Sequence, residues 1–112
     1  MIEQKTGLVS TQMIKDKILE DHGIKLKDIH EHTSYREHDV SFSFDKKNND
    51  KYNTTTTITL EKKELLSIVK KILLADGIQS DNIQIEFEHI PGDSFEPMDY
   101  GTYKFIGFKF TL

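Results

Sequence analysis

The fold is decided by residues 59–90, which read TLEKKELLSIVKKILLADGIQSDNIQIEFEHI and change from a helix pattern to a strand pattern. Apolar residues of the first part recur at the spacings that line one face of a helix. They are Leu65, Ile68, Val69, Ile72 and Leu73. A hydroxyl at Thr59 can cap the first backbone N–H groups, and Gly77 can adopt the left-handed conformation that ends a helix. We therefore predict an amphipathic helix that stops at this glycine.

The second part of this stretch, residues 82–90, alternates with a period of two. The apolar phase holds Ile83, Ile85 and Phe87, and the polar phase holds Gln84, Glu86 and Glu88. A period of two is typical of a strand with one buried face. The sequence therefore predicts a strand whose exposed face is acidic.

A similar helix pattern covers residues 11–22 and stops at Gly23. Its cap is Ser10 or Thr11. Seven residues of this region recur 54 positions later: Ile14, Lys17, Ile18, Leu19, Gly23, Ile24 and Ile29 match Ile68, Lys71, Ile72, Leu73, Gly77, Ile78 and Ile83. The recurrence indicates either a duplicated helix–strand–strand unit or the agreement expected of any two amphipathic helices that end at glycine.

Two further segments have the pattern of a β-hairpin. Residues 39–44 alternate valine and phenylalanine with serine, and residues 52–60 are rich in β-branched threonine. The intervening residues 45–51 have the composition of a turn. Residues 28–35 contain few strand formers, and we expect them to be extended only if they correspond to the strand at 82–90.

The C-terminal residues 102–112 predict a last strand, in which the apolar phase changes at Gly107. A change of phase is expected where a β-bulge inserts an extra residue. Residues 91–101, PGDSFEPMDYG, are bounded by proline and glycine and predict a loop. Residues 1–9 carry few signals, and we predict that they are partly mobile.

These elements predict an α+β fold in a single domain that covers residues 1–112. We expect one antiparallel sheet of four strands, or of five if residues 28–35 also pair. Both helices would pack on one face of this sheet, and the order along the chain would be helix, hairpin, helix, hairpin.

Composition excludes several classes of protein. The chain has no cysteine, so a disulfide framework, a thiolate zinc site and a cysteine nucleophile are excluded. No apolar run approaches the ~20 residues that cross a bilayer, and the N-terminal residues lack the apolar core of a secretory signal. We therefore expect a cytoplasmic protein that does not enter a membrane.

The charge balance disfavours a nucleic-acid partner. The chain carries 15 basic and 19 acidic residues and a net charge of −4, which opposes binding to a polyanion. The lysine pairs at 46–47, 62–63 and 70–71 keep nucleic-acid binding as an alternative, although lysine on a turn or helix surface is ordinary solubilising material. Plentiful lysine, isoleucine and asparagine are typical of AT-rich codons, which favours a low-GC bacterium, its phages or its mobile elements as the source.

The histidines form a second alternative. His30 and His32 have the spacing of one strand face, and His38 could lie opposite them across a turn. Three imidazoles with nearby carboxylates would suit zinc or another divalent metal, in a metal-binding protein or a metal-dependent enzyme. The simpler interpretation is a solvated edge strand. Because no phosphate-binding glycine loop, nucleophile elbow or Ser–His–Asp arrangement is recognisable, the sequence favours a protein that is not an enzyme and has no cofactor.

The 91–101 loop is the best candidate for a contact with another protein. It is longer than a simple hairpin turn needs, and it mixes large apolar side chains with acids. The candidate partner-binding residues are Asp93, Phe95, Glu96, Met98, Asp99 and Tyr100, with Glu86 and Glu88 on the adjoining strand. We predict a protein-binding module, such as a small inhibitor or regulator, with a basic partner and an oligomeric state that the sequence leaves open. The alternative is that the loop plugs the sheet and binds nothing.

Overall fold

The computed structural model describes residues 2–92 and 101–112. In the chain order of these residues the elements are β1 (Thr6–Ser10), α1 (Thr11–His22), a short 3-10 helix (Leu26–Asp28), β2 (His30–Ser34), β3 (Asp39–Lys47), β4 (Thr55–Leu60), α2 (Lys62–Ala75), β5 (Asn82–Ile90) and β6 (Thr102–Thr111). Neither described helix is long and apolar enough to cross a membrane.

The strands form two antiparallel sheets of three strands each, in the orders β1-β6-β5 and β2-β3-β4. The prediction of one sheet with four or five strands is therefore wrong. The two hairpins β3–β4 and β5–β6 do form, but each takes a third strand of its own instead of pairing with the other. Residues 28–35 contribute β2 to the sheet β2-β3-β4. Strand β1 includes residues 6–9, so the predicted mobility of residues 1–9 is wrong for this part.

The first half of the described elements runs β1-α1-β2-β3, and the second half runs β4-α2-β5-β6. The first strand of each half pairs with the last strand of the other half, which we call the exchange of first strands. Strand β1 pairs with β6 from the end of the chain, whereas β4 pairs with β3 from the first half. The predicted order of helix, hairpin, helix, hairpin is thus wrong, because a strand precedes each helix. Each sheet consists of strands from both halves, so neither half contains a complete sheet by itself.

The sequence matches at an offset of 54 do not align equivalent positions of the helices. The buried pairs are Ile14 and Ile18 in α1 and Leu65 and Val69 in α2, which lie 51 positions apart. The residues that match by sequence, Ile68 and Ile72, are only half-buried. The glycines that follow the two helices keep the offset of 54 because α2 is longer than α1. Similar helix ends therefore explain part of the recurrence.

The helix ends explain why α1 was predicted accurately and α2 less so. The Ser10 hydroxyl caps α1 by accepting from the Met13 N–H at 3.3 Å. Helix α2 begins after Glu61, whose N–H donates to the Glu64 carboxylate at 3.0 Å. The predicted cap Thr59 is wrong because β4 continues through Leu60. Beyond the last turn of α2, the Ile78 N–H donates to the Leu73 carbonyl at 2.9 Å, as expected where glycine ends a helix.

One apolar core joins both helices and both sheets. Its buried members are Val9, Ile14, Ile18, Val40, Phe42, Phe44, Leu65, Val69, Leu73, Phe105 and Phe108. Burial of each such side chain contributes about 1.5–3 kcal/mol. No polar or charged side chain of the described residues is buried with them. The core therefore depends on apolar packing, with phenylalanines from the central strands β3 and β6 as its largest members.

The turn between β3 and β4 is set by side-chain hydrogen bonds. The Asn48 N–H donates to the Thr54 carbonyl at 2.9 Å, which continues the register of the two strands. The Asp50 carboxylate accepts from both the hydroxyl and the N–H of Thr54. These bonds, with the hydroxyl first, lower the pKa of Asp50. Strand β3 is longer than its predicted range of 39–44, and the turn lies correspondingly later in the chain.

Strand β6 contains the predicted bulge. Glu86 pairs with Gly107 and Phe87 pairs with Phe105, so Ile106 is the extra residue. The bulge lets Phe105 and Phe108 both enter the core. Gly107 has φ 142° and lies against the backbone of β1, where an added Cβ would clash with the Val9 carbonyl oxygen.

We expect the Gly107→Ala variant to lose more than ~3 kcal/mol of unfolding free energy, because both the backbone conformation and the missing space oppose a side chain. Gly23→Ala is the matched control. Gly23 also has a positive φ of 63°, but no atom lies near its Cβ position, so its cost should be about 1 kcal/mol. Urea denaturation of both variants measures the difference. Equal losses would show that β1 and β6 do not approach this closely.

Candidate functional site

The most distinctive surface feature is a group of rings where the β2–β3 turn meets the β5–β6 hairpin. We call it the aromatic cluster; its members are Tyr35, His38, Phe87, His89 and Tyr103. Tyr35 and His38 lie in the turn, Phe87 and His89 on β5, and Tyr103 on β6. Tyr35 is 42 % exposed and Tyr103 is 44 % exposed. The cluster therefore presents aromatic surface to solvent.

The two tyrosines stack face to face. Their ring centroids are 3.5 Å apart and the ring planes differ by 2°. His38 packs beside Tyr35 with centroids 5.5 Å apart, and His89 packs beside Tyr103 with centroids 4.9 Å apart. The four rings thus make a continuous series of contacts across the two hairpins.

Phe87 connects this series to the core. It meets Tyr35 edge to face, with centroids 5.3 Å apart, and its ring lies 6.0 Å from that of buried Phe105. Edge-to-face contacts of this kind add about 0.5–1.5 kcal/mol beyond the burial of area. The exposed tyrosines are therefore supported by the packed interior.

Backbone and side-chain bonds hold the turn that carries Tyr35. The His38 N–H donates to the Tyr35 carbonyl at 3.1 Å, and the Glu37 N–H donates to the Ser34 hydroxyl at 3.3 Å. The Lys62 ammonium, at the start of α2, donates to the His38 carbonyl at 2.9 Å. The turn is thus linked to a helix as well as to its own hairpin, which places Tyr35 against Tyr103.

Two of the predicted partner-binding residues, Glu86 and Glu88, lie on β5 within the described residues. They alternate with Phe87 and so lie on the opposite face of the strand. Glu86 is half-buried beside the bulge, and Glu88 is exposed and pairs across the ladder with Lys104. This face therefore carries a cation beside its acids. The other candidates, Asp93, Phe95, Glu96, Met98, Asp99 and Tyr100, lie outside the described residues.

The aromatic cluster was not predicted from the sequence. Tyr103 and Phe105 are two positions apart on β6, so the alternation along the strand could have predicted that Tyr103 lies on the same face of the sheet as buried Phe105. The contact between Tyr35 and Tyr103 joins a turn to a distant strand, and no periodicity reports such a contact.

The three histidines considered for a metal site are not assembled by the structure. His32 Nε2 lies 3.3 Å from the Ser43 hydroxyl on the face of the sheet β2-β3-β4, whereas His38 belongs to the aromatic cluster. His30 is exposed further along β2. Across residues 2–92 and 101–112, no group of three or more His, Cys, Asp or Glu side chains is placed to hold a metal ion.

The lysine pairs lie on two elements. Residues 46–47 end strand β3, residues 62–63 begin α2, and residues 70–71 lie in the second half of α2. Lys62 is occupied by its bond to the His38 carbonyl. No described contact joins the three pairs into one basic surface.

Comparison of the chain with protein-family models, with curated proteins and with solved structures gives no significant match. The geometry of the described residues is therefore the basis for a functional proposal.

The Tyr35 phenol provides a test of the tyrosine stack. Its hydrogen bond with the Tyr103 side chain, followed by charge repulsion from that group, raises the pKa of Tyr35 above its ordinary value. The neutral phenol is therefore favoured in the folded state. Its contribution to stability is fully present below the ordinary pKa of about 10 and is lost as the pH rises through the raised value.

We expect the Tyr103→Phe variant to lower the pKa of Tyr35 towards its ordinary value, because the phenylalanine ring keeps the stacking but lacks the hydroxyl. A pH titration of the tyrosine ring signals by NMR measures this change. Tyr52→Phe, in the exposed β3–β4 turn, is the control and should leave Tyr35 unaffected. An unchanged Tyr35 pKa in Tyr103→Phe would contradict the stacked geometry.

Proposed function

We propose that the chain is a non-enzymatic protein-binding module whose partner binds the aromatic cluster together with residues 91–101. The observation that supports this most is the stacked pair Tyr35 and Tyr103, almost half exposed and supported from below by Phe87. Aromatic side chains are enriched at the centres of protein interfaces. Rings that are already held in place lose little conformational entropy on binding, which favours affinity.

The chain connects this cluster directly to the segment predicted from sequence. Residues 91–101 join the end of β5, which carries His89, to the start of β6, which carries Tyr103. In the proposal, Phe95, Met98 and Tyr100 supply further apolar contacts to the partner. Asp93, Glu96 and Asp99 form an acidic rim that selects a partner with a basic surface. Glu86 and Glu88 lie on the opposite face of β5 from Phe87 and are not part of the proposed site.

The module acts in the proposal as a small inhibitor or regulator in the cytoplasm, encoded by a mobile element or phage of a low-GC bacterium. It works by occupying a surface of its partner and requires no cofactor. Its support is the compact core and the exposed rings, together with a sequence in which no catalytic motif is recognisable.

The partner is to be captured from the native host with the purified chain as bait and identified by mass spectrometry. We expect Tyr35→Ala with Tyr103→Ala, and separately Phe95→Ala with Tyr100→Ala, to weaken its binding by more than ~2 kcal/mol, because anchors at the centre of an interface lose buried area. Calorimetric titration measures the affinity of each variant.

Met13→Ala is the control for these variants, since Met13 is 52 % exposed on α1 and outside the cluster. Circular dichroism and urea denaturation check that each variant is folded. Wild-type affinity in both anchor variants would refute the proposed site. If Phe95→Ala with Tyr100→Ala unfolds the domain instead, residues 91–101 are a structural plug, and only the cluster remains as the site.

Reversal of Glu96 and Asp99 to lysine should mainly slow association with a basic partner, and by less at high salt, because screening removes long-range steering. Stopped-flow mixing at two salt concentrations measures the association rate. Glu3 and Glu20 are exposed acids outside the site, so their reversal to lysine gives the same change in net charge as a control. An equal effect of both pairs would assign the change to net charge and not to the acidic rim.

A further inference from the structure

Strand β4 is an unprotected sheet edge. It reads TTTITL, and among the described strands it hydrogen-bonds only to β3. It contains no charged residue and no proline, which are usual means by which proteins prevent an edge strand from pairing with another chain. Two of the other edge strands carry charges, Glu31 in β2 and Glu86 and Glu88 in β5, and β1 is only five residues long.

The register shows which backbone groups of β4 are open. The Asn48 N–H donates to the Thr54 carbonyl directly opposite, so these residues form a hydrogen-bonded pair. Such pairs alternate along an antiparallel ladder. In the observed register Thr56, Ile58 and Leu60 therefore bond to β3. The intervening residues Thr55, Thr57 and Thr59 direct their N–H and C=O groups to the open edge.

This edge is complementary to a second copy of itself. When two β4 strands run antiparallel with Thr57 opposite Thr57, Thr55 of each copy lies opposite Thr59 of the other. All of these are residues with open backbone groups, so each opposed pair can exchange both of its hydrogen bonds. Opposed residues also lie on the same face of the sheet, and cross-strand threonine pairs are favourable.

Charge and exposed surface favour the same occupant. No charged residue of β4 would oppose a like charge, although the chain as a whole carries a net charge of −4. The adjoining turn exposes Tyr52, which is 77 % accessible. In the antiparallel pairing Tyr52 comes beside the residues that begin α2 in the second copy, where its ring can cover the aliphatic part of a lysine.

We propose that the chain forms a two-fold symmetric dimer in which the β4 strands pair antiparallel about Thr57. The sheet β2-β3-β4 of one copy and the same sheet of the other copy then form one continuous sheet of six strands. The aromatic cluster belongs to the β2–β3 turn and the other sheet, so it takes no part in this pairing. The dimer is therefore an interaction beyond the partner binding proposed above, and it displays two copies of that site.

Sedimentation equilibrium across a dilution series measures the oligomeric state of the full chain and so tests the proposal. We expect wild type to be a dimer that dissociates on dilution. Thr57→Glu should raise the dissociation constant more than about tenfold, because two glutamates then face each other at the symmetry axis, each beside the Asp45 carboxylate that accepts from the Thr57 hydroxyl in wild type. His30→Glu adds the same charge on β2, at the other edge of the same sheet, and should have little effect.

A charge-swap mixture tests the register itself. An equimolar mixture of Thr57→Glu and Thr57→Lys should recover the dimer that Thr57→Glu alone loses, since the charges then attract across the axis. In wild type, hydrogen exchange at the Thr57 amide should slow as protein concentration rises, because the dimer covers this N–H group. This measurement does not depend on any variant being folded.

A chain that remains monomeric at every concentration would overturn the proposal. This holds whether β4 then stays unpaired or pairs with a strand of another protein. A dimer that Thr57→Glu leaves intact, with no concentration dependence at the Thr57 amide, would also overturn it, because the copies would then meet elsewhere.

Discussion

The pairing of β1 with β6 is the constraint on which the structure depends. It brings Gly107 against the backbone of Val9, where there is room for no side chain, and it sets the bulge that turns Phe105 and Phe108 into the core. Because β1 comes from the first half of the chain and β6 from the second, this pairing joins the two halves. The reciprocal pairing of β4 with β3 does the same in the other sheet. Neither sheet is complete without both halves, so we regard unfolding as a single cooperative event.

Much of the local structure could be predicted from the sequence. Helix α1 occupies the predicted residues 11–22, α2 ends at the predicted glycine, and the bulge lies beside Gly107. These features have local causes: capping hydroxyls, glycines that accept positive φ, and apolar residues at regular spacing. The predicted number of sheets was wrong because it has no local cause. It depends on which strand edges meet, and the alternation along a strand is the same whichever neighbour it has.

Strand β1 shows this limit most clearly. Its five residues, TGLVS, are too few for a convincing period, and they contain a glycine, which weakens a strand assignment. The strand forms because Val9 enters the shared core and because the ladder with β6 satisfies the backbone. Tyr35 was missed in a similar way, since its position opposite Tyr103 follows from the arrangement of two hairpins. For the candidate site, the sequence identified the β5–β6 hairpin but not the ring from the other sheet that packs against it.

The exchange of first strands also sets the order in which the protein can be assembled on the ribosome. Strand β4 follows β3 after a short turn, so β2, β3 and β4 can pair as soon as residue 60 has emerged. Strand β1 is synthesised before β6 and cannot complete its sheet until β6 emerges, and the loop between them must close before its contacts form. During that interval the Val9 side of β1 has no partner strand. The nascent chain therefore holds β1 unpaired until residues 102–111 have emerged, which places completion of the sheet β1-β6-β5 late in folding.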